Sequence, residues 1–261
     1  KKKSGKLAIS GEEAVVFNSL HKEKEVGTPR MGGLLIWVTV VIVTALFYIL
    51  SLLFPDTWLA SLNFFSRSQT WLPLFTLVAA SLIGLGDDIL QVSEKSGGGL
   101  SLKKRMFLVA LLGLIGSIWF YQKLGWDVVY VPFIGDMSIG LWYIPFFILV
   151  MLGCWSGGII DGLDGLSGGT FASIFGAFAV ISFSLGKIDL AAFCAVVLGA
   201  VFTFLWFNIP PARFYMSETG SLGLTCVLCV VAFLTDSVYV VPVIAGLLVL
   251  EVATIIIQLL S

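Results

Sequence analysis

Apolar runs long enough to cross a bilayer follow one another along almost the whole chain, and no other feature restricts its fold as strongly. Eight are counted, at roughly 32–54, 70–86, 106–122, 139–157, 168–186, 190–207, 219–235 and 238–259. A helix needs about 20 apolar residues to cross the hydrocarbon layer, where each backbone N–H and C=O must be satisfied within the segment. The expected fold is therefore all-α, a polytopic transmembrane helical bundle of about eight spans. The composition agrees, since 58% of the 261 residues are hydrophobic and 12% are charged, outside the usual range of a soluble domain. The expected division is a polar cytoplasmic N-terminal segment at 1–30 and a single integral membrane domain at 31–261. Connections are short, and no repeat or inserted soluble domain is evident. One of them, DVVYVPFIGDMS at 127–138, alternates apolar and polar residues around Gly135-Asp136 and predicts a small β-hairpin on the outer surface.

The positive charges orient the bundle. With the N-terminus in the cytoplasm, the cytoplasmic segments 1–31, 87–105, 158–167 and 208–218 hold twelve of the fifteen Lys and Arg residues. The outer segments hold three: Arg67, Lys123 and Lys187. This bias favours a cytoplasmic N-terminus. The lysine-rich first 30 residues lack the apolar core of a signal peptide. Cys154, Cys194, Cys226 and Cys229 lie inside apolar runs and read as buried small hydrophobes despite the CxxC spacing of the last two. The lone histidine, His21, excludes a histidine cluster for zinc. No nucleic-acid partner is expected.

The acidic residues are distributed in a way that transport does not explain. Asp87, Asp88, Asp161, Asp164 and Glu218 come from three separated loops yet all fall at helix ends on the cytoplasmic side. A transport path would place ionisable groups near mid-membrane; only Glu251 is there, as a functional candidate or a buried hydrogen-bonding group. Carboxylates gathered at one water interface suit an enzyme that takes a soluble substrate from one side and a lipid from the other. In GLGDDILQV (84–92) the adjacent aspartates repel each other and oppose the helix dipole. They read as a solvated helix end, or as a site for a cation or a phosphate-bound metal. DGLDGL (161–166) places carboxylates at i and i+3, on one face of a helical turn, between glycines that leave room for a ligand. GGGLSLKKRMF (97–107) is a flexible turn followed by three cations, either a membrane anchor or a phosphate site through Lys103 or Lys104. In NIPPARFYMSETGS (208–221), Pro210-Pro211 build a rigid loop, Asn208 offers an amide, and Phe214 and Tyr215 offer ring faces for a base. Glu218 then meets the start of the next helix, where a carboxylate also suits the dipole. GTPRMGG (27–33) reads as a helix start beside Arg30, with Gly32-Gly33 permitting close backbone approach.

Taken together, GTPRMGG, GDD, GLSxKxR, DGLDGLSGG and NIPPARFYMSETGS resemble the motifs of the polyprenyl-phosphate N-acetylhexosamine-1-phosphate transferase superfamily. Within it the nearest likeness is to the phospho-N-acetylmuramoyl-pentapeptide transferase branch, over about residues 21–261. The resemblance implies a multi-pass enzyme of the bacterial cytoplasmic membrane, with about ten spans in the family, its active site on the cytoplasmic face, and homodimers. It implies magnesium-dependent transfer of phospho-N-acetylmuramoyl-pentapeptide from its uridine diphosphate form to undecaprenyl phosphate, giving lipid I and uridine monophosphate in peptidoglycan biosynthesis. Carried over by motif, Asp87, Asp88, Asp161 and Glu218 are the catalytic candidates, with Glu218 and Asp87 as metal ligands. Thr28, Lys103, Lys104, Asp164, Asn208 and Tyr215 are the substrate-binding candidates. The sequence departs from the family pattern at Glu218 (an aspartate in the family), Ser217 (a glycine), Trp155 and Gly158 (asparagines) and Gln91 (often a lysine). The family's first helix and histidine-rich motif have no match within 1–261. The competing readings are a UDP-N-acetylglucosamine transferase acting on the same lipid, a catalytically inactive membrane scaffold, and a lipid transporter.

Overall fold

The computed structural model describes residues 28–66, 68–93, 99–160 and 164–260. Its elements are α1 (Gly33–Leu53), α2 (Trp71–Val92), α3 (Leu102–Trp119), β1 (Val128–Val131), β2 (Gly135–Ser138), α4 (Tyr143–Ser156), α5 (Leu166–Ser184), α6 (Ile188–Asn208), α7 (Ser217–Leu234), α8 (Val241–Ile244) and α9 (Gly246–Leu260). Among the described residues, six helices are long and apolar enough to cross a membrane: α1, α2, α3 with its extension to Leu124, α5, α6 and α7. These match six of the eight expected spans. The fourth expected span is a shorter helix, α4, entered through a 3-10 turn at Gly140–Trp142. The eighth is divided. Pro242 lies in the first turn of α8, and Ala245 leaves helical geometry before α9 begins.

The bundle is organised around α7. From Thr219 to Leu234 every residue of this helix is buried, as expected for a helix that is apolar on all sides and lies at a protein centre. It packs most extensively on α2, and also on α4, α1 and α5. By contrast α1 exposes Ile42, Ile49, Leu52 and Leu53, the surface that hydrocarbon solvates in a bilayer. Helix approach depends on missing side chains. A Cβ on Gly33 would overlap the backbone of Gly220, and one on Gly84 would overlap the carbonyl of Glu218. At the other end of α7, Phe233 meets Phe147 at 4.4 Å between ring centroids, and Phe120 meets Phe147 at 5.3 Å. The four cysteines are free and buried.

The expected hairpin is present. β1 and β2 pair antiparallel, Val128 with Ser138 through Val131 with Gly135, and the turn uses left-handed geometry at Phe133 and Gly135. Tyr130 of the hairpin touches Tyr239 at 5.2 Å. Beneath it, Lys187 donates to the carbonyl of Leu234 and lies 5.3 Å from the Trp126 ring centroid. Burial pushes the Lys187 ammonium below its ordinary value, opposed by Asp236. Burial pushes the Asp236 carboxyl above its ordinary 3.8, opposed by a hydrogen bond from the Tyr130 backbone. A group raised on folding contributes stability that is complete below its unfolded value and lost as pH rises through the folded one. The melting temperature of the native protein is therefore expected to gain on that of Asp236→Asn as pH is lowered from neutrality toward 3.8. Asparagine tolerates the left-handed backbone at this position, so the comparison isolates the charge. Thermal unfolding over a pH series measures it, and a constant difference would contradict the assignment.

Candidate active site

The site face is built where the end of α2, the start of α3 and the start of α7 meet. α2 runs to Val92, beyond the expected end at residue 86, so Asp87 and Asp88 lie within its last turns. They are 1% and 2% exposed, which corrects the reading of a solvated helix end. A buried carboxylate needs partners, and the two find different ones. Asp87 Oδ1 accepts from the Leu100 amide at 2.5 Å, and Oδ2 accepts from Gln91 Nε2 at 2.8 Å and pairs with Arg105 Nη2 at 2.7 Å. Gln91 Oε1 in turn accepts from Arg30 Nη1 at 3.1 Å. Gly99, at φ 83°, lies against Asp87 so closely that an added Cβ would stand 2.8 Å from Oδ1. Asp88 turns toward α7: its Oδ2 accepts from the Thr219 amide at 2.9 Å and the Thr219 hydroxyl at 2.5 Å. Asp88 thus supplies from another helix the cap that α7 lacks, at the positive end of its dipole.

Glu218, in the first turn of α7, completes the group. Its Oε1 accepts from Arg105 Nη1 at 2.5 Å, and its side chain is 28% exposed. One guanidinium therefore joins carboxylates from two helices distant in sequence. Ser217 just before it has φ 58°, the left-handed geometry that a glycine adopts at no cost.

A second group forms where the α6–α7 loop meets the start of α5. Asp164 Oδ2 accepts from the Ala212 amide at 3.1 Å. Asn208, 1% exposed, accepts from Gly165 N at 2.9 Å and donates to Phe214 O at 3.0 Å. Its amide ties the two loops together. Phe214 packs inward on Phe204 and Phe207, each at 5.7 Å, while the Tyr215 side chain is half-buried. The loop is held to the segment before α1 by a short backbone ladder: Tyr215 N to Pro29 O at 3.0 Å, Gly32 N to Tyr215 O at 2.8 Å and Gly33 N to Met216 O at 3.0 Å. This places Thr28, half-buried, beside the loop. Asp161 lies outside the described residues, as does the side chain of Glu251.

A model of glycosyl transferase family 4 matches residues 70–236, from α2 through α7. The chain belongs to that family. Relatives extend the likeness to about nine tenths of the chain. A phospho-N-acetylmuramoyl-pentapeptide-transferase of Anoxybacillus flavithermus is 36% identical over 242 residues, covering 92% of this chain and 71% of that protein. One from a Geobacillus species is 34% identical over 243 residues with the same coverage. One from Chloroflexus aurantiacus is 34% identical over 244 residues, covering 90% of this chain and 62% of that protein. As a member of the glycosyl transferase family 4 carrying six helices able to cross a membrane, the protein is a multi-pass membrane enzyme, a phosphoglycosyl transferase. All the described acidic candidates of this glycosyl transferase (Asp87, Asp88, Asp164 and Glu218) fall inside the matched region.

The geometry separates these candidates. Asp87 and Glu218 converge; Asp88 supports α7; Asn208 and Asp164 brace the loop. Lys103 and Lys104 are exposed, whereas Arg105 turns inward with its side chain 20% exposed. Helical periodicity contained that signal. Counting back from the buried positions Val109, Leu112, Gly113 and Gly116, residue 105 shares the inner face and residues 103 and 104 do not. Lys103→Ala and Lys104→Ala are accordingly expected to leave turnover within about fivefold, since an exposed charge contributes at most about 1 kcal/mol. Arg105→Ala is expected to lower turnover about a hundredfold or more, because Asp87 is then left charged and buried. Steady-state rates of the three variants decide it.

Proposed function

We propose that the protein transfers phospho-N-acetylmuramoyl-pentapeptide from its uridine diphosphate form to undecaprenyl phosphate, giving lipid I and uridine monophosphate. The observation that carries this reading is the convergence of Asp87 and Glu218 on one cation at the mouth of the bundle, in a chain whose relatives bear that transferase name. The charge bias toward the same face supports a site open to the cytoplasm.

Among the described residues no three His, Cys, Asp or Glu side chains form a metal-binding group. Two hard oxygen donors do converge, and magnesium ordinarily takes one or two carboxylates together with substrate phosphates. The residues thus fit: Asp87 and Glu218 would hold the ion, whose chemistry when bound is to neutralise charge on the pyrophosphate. The remaining work falls to positioning and electrostatics, as in phosphoryl transfer generally. The lipid phosphate has a second pKa of about 6 and is mostly a dianion at neutral pH, so it attacks without needing a strong base. Arg105 neutralises phosphate charge. Asp88, through Thr219, fixes the turn that aims Glu218. Asn208 and Asp164 hold the loop that presents Tyr215 to the uracil.

The test is the lipid product. Purified protein with undecaprenyl phosphate, magnesium and the muramyl pentapeptide nucleotide is expected to yield undecaprenyl-pyrophosphoryl-N-acetylmuramoyl-pentapeptide by mass spectrometry. A product formed only from UDP-N-acetylglucosamine would reassign the donor.

A further inference from the structure

Arg105 stands where the cation of the proposed reaction has to go. Its Nη1 is 2.5 Å from Glu218 Oε1 and its Nη2 is 2.7 Å from Asp87 Oδ2, so the planar fork spans the gap between α2 and α7. Among the described residues no other cation is paired with either carboxylate: Arg30 reaches only Gln91. The third donor of the same group, Arg105 Nε, is buried and has no acceptor among the described residues. A buried donor without an acceptor is costly. The guanidinium is thus well placed for its two carboxylates and incompletely satisfied, a state that an additional oxygen anion would complete.

From this we propose that Arg105 is an exchangeable counter-ion: it keeps divalent cations off Asp87 and Glu218 until a phosphate group draws it away. The inference rests on the reading of Asp87 and Glu218 as the metal-holding pair. Magnesium binds carboxylate oxygens at about 2.0–2.1 Å, and the same oxygens now face guanidinium nitrogens. Three positive charges against two carboxylates would repel one another, so metal alone binds weakly. A nucleotide diphosphate changes the balance. Its oxygens offer bidentate acceptors to the guanidinium, a geometry Arg matches and Lys does not, and the vacated carboxylates accept the metal. Metal and nucleotide therefore bind with positive coupling, and the coupling is reciprocal.

The experiment is manganese binding to the purified full chain in detergent, followed by electron paramagnetic resonance, with and without uridine diphosphate. In the native protein, uridine diphosphate is expected to tighten manganese binding at least tenfold. In Arg105→Met, manganese alone is expected to bind at least tenfold tighter than in the native protein, and the nucleotide is expected to add less than threefold. Arg105→Lys, which cannot bridge both carboxylates, is expected to be intermediate and carries the test if the methionine variant is not monodisperse. Unchanged manganese affinity in these variants, or equal tightening by nucleotide in variant and native protein, would overturn the exchange. Uridine monophosphate release by the same native preparation separates the two levels. Release without the affinity change refutes the exchange alone, whereas the affinity change without release supports the exchange and refutes the transferase reading.

Discussion

Glu218→Gln and Asp87→Asn are each expected to lower the rate of uridine monophosphate release by about 10²–10³-fold, the scale of losing one preorganised electrostatic contact in a transition state. The two substitutions remove charge without removing volume, so their effects report electrostatics rather than packing. They differ in how much structure they disturb. Glu218 is partly exposed, and its carboxylate pairs with Arg105, so its glutamine variant is expected to melt within about 2–4 °C of the native protein. Asp87 is buried and accepts from Leu100, Gln91 and Arg105. An amide there turns one acceptor into a donor facing other donors, and a larger loss of stability is expected, about 1–3 kcal/mol. Near-native release rates from both variants would remove the pair from the chemistry.

Gly84→Ala is expected to be almost as damaging to turnover, although residue 84 carries no chemistry. The added Cβ would overlap the backbone carbonyl of Glu218, and backbone cannot swing aside as a side chain does. α2 and α7 must separate, at a cost of about 1–3 kcal/mol for overpacking. Glu218 moves with its helix, and about 1 Å of misplacement costs about a hundredfold in rate. Gly86→Ala is the control. Two residues further along the same helix, its Cβ would meet nothing within 4 Å, so alanine is expected to be neutral or to stabilise by up to about 1 kcal/mol through helix propensity. Thermal unfolding and release rates of both variants measure the contrast; equal behaviour would contradict the described α2–α7 contact.

That contrast also shows which parts of the molecule were readable from the chain. Gly84 and Gly86 are alike in sequence, and only the path of α7 distinguishes them. Apolar length and period-two alternation are enough to place six long helices and the hairpin, because bilayer thickness and strand pleat act on local sequence alone. The eighth run predicts one continuous span, since its hydropathy does not falter; the break at Ala245 follows a proline in the preceding short helix. At the candidate site, motif order singled out loops that the fold brings together, with Asp87 and Glu218 both on Arg105. It did not distinguish Asp87 from Asp88, because that depends on which carboxylate faces Thr219 and which faces Arg105. Arg105 is legible through helical periodicity, whereas charge alone does not separate it from the exposed Lys103 and Lys104. Likewise Phe214 and Tyr215 are adjacent rings, and the inward packing of Phe214 on Phe204 and Phe207 belongs to tertiary structure.

The most direct measurement is uridine monophosphate release by the purified protein with undecaprenyl phosphate, using the muramyl pentapeptide nucleotide or UDP-N-acetylglucosamine, with and without magnesium. Release that requires both magnesium and the muramyl pentapeptide nucleotide is the predicted result. Equal release without magnesium, or none with either nucleotide, would contradict a transferase centred on Asp87, Arg105 and Glu218.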